Sequence, residues 1–534
     1  MNKQASLFKL LVLCFSFIFI LAACTSTETE TSPTNDSNDS STPTEENTGE
    51  KVLRVSMTAA PGNLDPHFAG THAEFEIIQP IFNGLLRYKP GTADFETIEG
   101  DLAESWDISE DGLTWTFHLH EGVQWHKGFG ELTSEDVKWS LERVMDPEVG
   151  SPRASSFKFV DSVEAPDPYT VVITLKEPNP SFILSLVAYG VTGGAIVNKE
   201  AIEAGGEDAD KLIGTGPFEL ESYTPGESAI LVKHADYFRG EPKIDRVERY
   251  IMRDLAAREV AMDRGDIDFS YGEPDGMWFN QRSQNQDLTV QTSGLPMVWS
   301  IQLNTTIEPL NDIRVRQAIA HAMNPEDLVA SLGEEVAKSM TSVLTHNVFG
   351  HTDLGGYDYN PEKSKQLLAE AGYPNGLTLP ESLGPNIPAY VPVNSYIVEQ
   401  LRQVGIEMPF QTVDTPTWIT ALYGDQSAVT LTIGLQALHG SVQLYNSYHS
   451  DGAGNFTHYS GSDALIEQAE RELDETKSLE LMKQIQEEIL ADYVNVPLLE
   501  TVQVNAYRNN VDLGYELNST PLYVAPIFET TDIK

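Results

Sequence analysis

The sequence predicts a mixed α/β chain, α+β or α/β, on three observations. Stretches with a period of two, such as LTWTFHL at residues 113–119, alternate irregularly with stretches of helical period. No internal repeat shows, and no long low-complexity tract follows residue 50. Forty per cent of the residues are hydrophobic, which is ample for large cores.

From the start, Lys3 and Lys9 precede an almost wholly apolar run at residues 10–21, and no acid occurs before Glu28. The run falls short of the roughly 20 apolar residues that span a bilayer. It has the length of a signal-peptide core, with Ala22 and Ala23 behind it. A plain secretory signal needs no cysteine there. Leu21-Ala22-Ala23-Cys24 resembles a bacterial lipobox, in which the cysteine is acylated and becomes the new N-terminus. That motif implies export and a lipid anchor at Cys24, with residues 1–23 removed.

Residues 25–50 hold seven acids, no Lys or Arg, and no aliphatic or aromatic residue. Such a segment buries too little apolar area to offset its ordering entropy. It reads as a disordered acidic Ser/Thr tether, over residues 24–51 with the anchor, reaching about 28 Å as a flexible coil. Cys14 and Cys24 are the two cysteines, so the folded body has no disulfide and rests on packing. The 511 residues left after cleavage suggest about three domains. The net charge is −46, and −48 once Lys3 and Lys9 leave. That balance opposes nucleic acid, whose binding draws on Lys and Arg.

Within the body, Leu113, Trp115, Phe117 and Leu119 alternate with Thr114, Thr116 and His118 as in a half-buried strand, and YTVVITL at 169–175 repeats the pattern. Between them, residues 133–145 read as a helix capped by Ser134, with acids in the first turn and Val137, Leu141 and Val144 on one face. Asn324-Pro325 and Asn360-Pro361 open further helices, which stop near Gly333 and Gly372. Residues 462–493 make one or two amphipathic helices.

Enzyme motifs fail on inspection. There is no G-x-x-x-x-G-K-[ST] loop and no G-x-S-x-G elbow. GTGPFE at 214–219 starts like a dinucleotide loop but lacks its third glycine. HEGVQ at 120–124 misses the second histidine of a zinc protease. His118, His120 and His126 have a spacing that suits a metal, but they read better as the polar face opposite Leu113, Trp115, Phe117 and Leu119. Neither a metal nor a cofactor is expected, and catalysis is not.

A series of segments in fixed order carries a resemblance. Residues 102–147, LAESWDISEDGLTWTFHLHEGVQWHKGFGELTSEDVKWSLERVMDP, look like the signature region of the family 5 extracellular solute-binding proteins, the dipeptide and oligopeptide receptors of ABC importers. NLDPH (63–67), VEAPDPYTVVITLKEPNPSF (163–182), IGTGPFELESYTPGES (213–228), HADYFRGEPKIDRVERYIM (234–252), LNTTIEPLNDIRVRQAIAHAMN (303–324) and YNPEKSKQLLAEAGYPNG (359–376) complete the series over about residues 52–505. The resemblance implies a two-lobed periplasmic-binding-protein-like fold (type II, cluster C) joined by two crossing strands. One lobe would span 52–290 and 500–534, with an extra subdomain near 87–180, and the other 291–499. Ligand would bind between lobes that close by hinge motion, and the closed form would dock on a membrane permease. A monomer is expected.

By resemblance, ligand contacts are sought after the Leu64-Asp65-Pro66 turn, at Tyr271-Gly272, at Met297-Val298-Trp299, at Asn304, at Trp418 and along residues 435–445, His439 included. Trp299 and Trp418 would stack on a ligand face, and Asn304 would equally brace the crossing region. Peptide-binding members carry Trp-x-x-Asp-Tyr-x-Asp-Pro in the second lobe, whose first acid pairs with the peptide's α-ammonium. Here residues 434–455 have Leu438-His439-Gly440 and no acid before Asp451. A buried ammonium without a counter-charge costs several kcal/mol. Either another acid serves, or the two stretches do not correspond, or the ligand has no free amino end. Peptide is the first choice, with oligosaccharide, nickel complex or opine as alternatives. The rival of another class, a surface-tethered hydrolase, lacks a nucleophile or metal site, and a signalling role for the same receptor stays open.

Overall fold

In the computed structural model, residues 49–188, 193–205, 208–387, 390–519 and 527–534 are described; Cys24 and the acidic tether lie outside them. Two long strands organise the chain, Leu288–Leu303 and Asn495–Arg508. Sixteen residues of strand at about 3.3 Å each reach about 50 Å, more than one core needs. The two pair antiparallel from Leu288↔Arg508 to Gln302↔Asn495, and their register breaks between Ser293 and Met297. Gly294 sits in that break with φ at +119°, where a side chain would be strained.

The crossing pair belongs to a nine-stranded sheet. On one side it continues through Phe269–Tyr271, Val52–Met57, Arg246–Ile251, Ser228–Lys233 and Phe218–Thr224. On the other, Val429–Gly434 pairs with Leu288–Leu303. Val52–Met57 runs parallel to both its neighbours. A separate antiparallel sheet of four strands, Ala103–Ile108, Thr114–Leu119, Thr170–Leu175 and Val160–Asp167, carries the helix Ser134–Met145.

Buried apolar side chains gather in separate clusters rather than one. The largest contains Leu53, Phe82, Phe117, Val137, Ile173, Phe218 and Phe269, all from the span expected to make the first lobe. The span expected to make the second lobe has one cluster of Trp299, Ile319, Leu401, Ile406 and Leu431, and another of Leu444, Ile466, Met482 and Ile485. All of these lie within one compact unit, Glu50–Lys534. Inside the first core, Glu76 and Arg249 are fully buried, 3.3 Å apart. Burial pushes the Glu76 carboxyl up to about 8, against the opposing pull of Arg249 and Arg258. No described helix is long and apolar enough to cross a membrane.

The sequence reading holds along the strands, since Trp115, Phe117 and Leu119 are buried while His118 is exposed. The cap of Ser134–Met145 sits one residue earlier than expected. Thr133 makes a capping box with Asp136, while the Ser134 hydroxyl donates to the Asp167 carbonyl at 2.5 Å. His126 is not on the polar strand face. It is buried after the strand, with Nε2 2.9 Å from the Gly216 carbonyl, and burial lowers its pKa to about 3. Residues 462–493 form two helices, Asp463–Arg471 and Glu475–Ala491.

The glycines of GTGPFE serve close packing. A Cβ at Gly214 would lie 2.0 Å from the Ile81 carbonyl, and one at Gly216 2.5 Å from that of Pro80. The segment is stitched to the first-lobe core by Gly216 N–H to Ile81 O and Phe218 N–H to Pro80 O. Replacing Gly214→Ala is expected to destabilise the body by about 1–3 kcal/mol, read as a lower urea midpoint at unchanged slope. An unchanged midpoint would mean that the backbones do not approach this closely.

Candidate ligand cleft between the lobes

The first stretch where the resemblance places ligand is the loop that leaves Val52–Met57. Glu74 holds both ends of that loop. Its Oε1 accepts from the N–H of Gly62 and Asn63, and its Oε2 from Gly70 and Thr71, at 2.6–3.2 Å. Asp65, in the Leu64-Asp65-Pro66 turn, accepts from His67 N–H and pairs with Arg143 at 2.6 Å. Arg143 also donates to His67 Nδ1, so the Nε2 of His67 carries the proton it gives to the Ala195 carbonyl. Burial keeps this imidazole neutral, its pKa about 4. Asp65 is therefore engaged with the helix Ser134–Met145 rather than open to a ligand amine.

Tyr271 ends its strand buried in the first core, edge-on to Phe269 at 5.3 Å. Gly272 follows under the Trp278 ring, which a Cβ there would meet at 2.3 Å. Across the crossing strands, Trp299 is buried and its Nε1 donates to Thr501 Oγ1 at 3.0 Å. Its ring lies 6.3 Å from Tyr390, and Tyr390 lies edge-on to Trp418 at 5.8 Å. Two of the expected residues thus meet through a third that the sequence reading missed. Met297 and Ile433 pack at the same core's edge. Burial pushes the Tyr390 phenol up to about 12.

Asn304 is not brought to this wall. It is buried where the crossing strand ends, and its Oδ1 accepts from the Thr306 N–H and hydroxyl. The arrangement braces a turn.

His439 lies where the lobes touch. It caps the helix Gly440–Tyr448 through Ser441 N–H, and its ring is 4.8 Å from Phe95 and 4.9 Å from Phe349. Phe95 comes from the first lobe and lies 5.1 Å from Phe349. Leu438 is buried within the first lobe's cluster, and Leu435 packs against it. Residues 435–440 therefore close an apolar seam. A carboxylate stands beside this seam on the crossing strand. Glu500 is 5% exposed, accepts from His346 N–H at 3.2 Å, and contacts the His346 ring. Asp94, next to Phe95, also feels His346. Burial raises its carboxyl, and His346 opposes the rise. Sequence reasoning missed Glu500, although an acid directly after the apolar run Val496-Pro497-Leu498-Leu499 is a legible flag. Among the described residues, no three His, Cys, Asp or Glu side chains are grouped to hold a metal ion.

Residues 97–455 match the profile of the bacterial extracellular solute-binding proteins, family 5 (middle region). The chain belongs to this family. A putative ABC transporter peptide-binding protein of Brucella ovis is 32% identical over 68% of each chain. The glutathione-binding protein GsiB of Escherichia coli is 30% identical over 66% of this chain and 67% of its own. Among solved structures, MoaA of A. tumefacien with mannopinic acid superposes with a TM-score of 0.80 at 33% identity, covering 91% of this chain and 100% of that one. The substrate-binding protein CtaP of Listeria monocytogenes gives 0.80 at 25% identity, covering 91% and 99%. This family 5 protein is accordingly the solute-binding component of an ABC importer, with the two-lobed fold of the periplasmic binding proteins. Membership also places it among transport components that bind solute without transforming it.

Burial lowers the His439 pKa to about 4, as it does for His67, with His126 lower still. Each of these imidazoles binds fewer protons folded than unfolded between its lowered pKa and about 6.5. Their contribution is whole above pH 6.5 and is lost as pH falls through that window. His439→Asn keeps a capping acceptor, its Oδ1 replacing the imidazole Nδ1, without the titration. This variant is expected to lose less stability than the parent between pH 7 and 5, by urea midpoint. An equal loss would assign the titration to other groups.

Proposed function

We propose that this family 5 protein is a lipid-anchored receptor on the extracytoplasmic face of the cell membrane, and that its solute is a di- or oligopeptide. The cleft between the Tyr271 side and the Trp299–Tyr390–Trp418 wall would admit the solute with the lobes apart. Rotation about the register break near Gly294 would then enclose it. Enclosure removes water and strengthens every polar contact to the solute. The closed form delivers its cargo to the permease.

The observation that carries this reading is the buried carboxylate of Glu500 on the crossing strand. A peptide's ammonium needs a counter-charge, and residues 435–440 provide none. Glu500, on the crossing strand against His346, is the acid we assign to the task, the ligand ammonium taking the place of the His346 ring as its partner. The Brucella peptide-binding relatives support the same reading. A second reading, an opine, is favoured by the acid-free seam itself together with the 33% identity to the mannopinic acid receptor.

The melting temperature of residues 50–534 with a mixed pool of di- to pentapeptides, and separately with mannopinic acid, distinguishes the two. A ligand at 100 times its Kd adds about 2.7 kcal/mol, a shift of a few degrees. A rise with the pool that Glu500→Gln abolishes is the expected result, and a rise with mannopinic acid alone would overturn the peptide reading. The anchor is tested apart. Cys24→Ser is expected to move the protein from the membrane fraction into the soluble one, and unchanged membrane partition would refute acylation at Cys24.

A further inference from the structure

Away from the cleft, the lobes meet a second time along the outer rim. Lys158, at the end of a short turn in the first lobe, reaches across to the second. Its Nζ lies 3.9 Å from the centre of the Tyr445 ring and 3.5 Å from Glu470 Oε1. Glu470 is 6% exposed and sits at the C-terminal end of Asp463–Arg471, where the helix dipole disfavours a negative charge. Burial raises its carboxyl, and Lys158 is the first of the cations that oppose the rise, ahead of Arg471 and His449. The next residue, Arg471, pairs with first-lobe Glu177 at 2.7 Å. Two positions on, the Leu473 side chain lies over Gly112, where a Cβ would meet it at 2.9 Å.

We infer that these contacts form a clasp that closes the lobes without help from ligand. Tyr445 ends the 435–445 stretch on the helix that His439 caps, but the clasp shares no residue with the aromatic wall or with Glu500, so it biases closure independently of both. Its strength is uneven. The Arg471–Glu177 pair is more than a third exposed on both sides and is screened by solvent. The Lys158 contact does more, because separation of the lobes takes the cation from a buried carboxylate and an aromatic face together. A receptor closed part of the time before binding has its apparent affinity scaled by the fraction in the competent state. In a chain of net charge −46, a lysine on this rim also offsets repulsion between two acidic lobes.

The inference rests on the two-lobed closure proposed above but on no identified solute, and its test uses none. Both native cysteines precede residue 50, so the body carries spin labels only where cysteines are introduced. Glu164→Cys on the first lobe and Lys483→Cys on the second are exposed positions for a pair of nitroxides. Dipolar distance measurements on the ligand-free body are expected to show a closed population at short distance. Lys158→Ala with Arg471→Ala should lower the closed-to-open ratio roughly five- to thirtyfold. Lys138→Ala, a partly exposed first-lobe lysine paired with Glu142 on its own helix, should leave the ratio unchanged. Circular dichroism and the melting transition establish that each variant is folded. A ligand-free parent with only the long distance, or a double variant with the parent's ratio, would overturn the clasp. If neither the peptide pool nor mannopinic acid binds, the proposed cargo fails while this measurement still decides the clasp.

Discussion

The hydrogen-bonded ribbon of Leu288–Leu303 and Asn495–Arg508 is the constraint on which the molecule depends. Its two ends lie in different cores, so a single antiparallel ladder is structural floor for both lobes. A continuous ladder of that length would resist bending. The break in register between Ser293 and Met297, with Gly294 in a left-handed conformation, removes ladder bonds where the cores separate. The rotation proposed above would lose few ladder bonds at this point. Just past the break, neighbouring residues take different tasks: the Trp299 indole, buried in the second core, donates to Thr501, while Glu500, one residue along, faces His346.

Around this ribbon the fold spends its buried charges on holding loops still. Glu74 accepts four backbone N–H groups along one loop, and Asp65, Arg143 and His67 tie the same loop to the helix Ser134–Met145. A loop that carries unpaired backbone donors would drift, and a cleft wall needs one geometry. Polar groups that the sequence offers as ligand contacts are in this way satisfied by the protein itself. Asn304 is another case, its side chain closed on Thr306.

What the sequence made legible follows from the range of each interaction. The alternation of Trp115, Phe117 and Leu119 with exposed His118, and the Asn-Pro openings of Pro325–Leu332 and Pro361–Glu370, are decided within a few residues, and pattern reading found them. The Ser134 cap was displaced by one position because Thr133 had the better geometry with Asp136, a competition between adjacent hydroxyls that spacing alone does not resolve. His126 was misplaced because burial of a histidine depends on a distant backbone carbonyl, that of Gly216. The glycines of GTGPFE looked like half of a nucleotide motif, and only the path of residues 80–81 explains them. At the site, Trp299 and Trp418 were visible as large aromatics, whereas Tyr390 between them and Phe95 opposite His439 depend on contacts between remote segments.

The apolar seam at residues 435–440 has a consequence for how the two lobes divide their labour. An acid at this place would have to be desolvated each time the lobes closed, and only a cationic ligand would compensate that cost. Leu438 and His439 remove the condition. Leu438 enters the first lobe's core, and the neutral His439 ring stacks on Phe349 and meets Phe95 edge-on, so closure here gains from burial whether or not charge is present in the cleft. Recognition and closure are then separable: the seam and rim supply a ligand-independent part of the closing free energy, and the cleft walls need supply only the difference between one solute and another. On the reading proposed above, such a receptor would tolerate change in its walls, because a substitution at Trp418 or Glu500 would alter which solute is held without undoing the contacts that bring the lobes together.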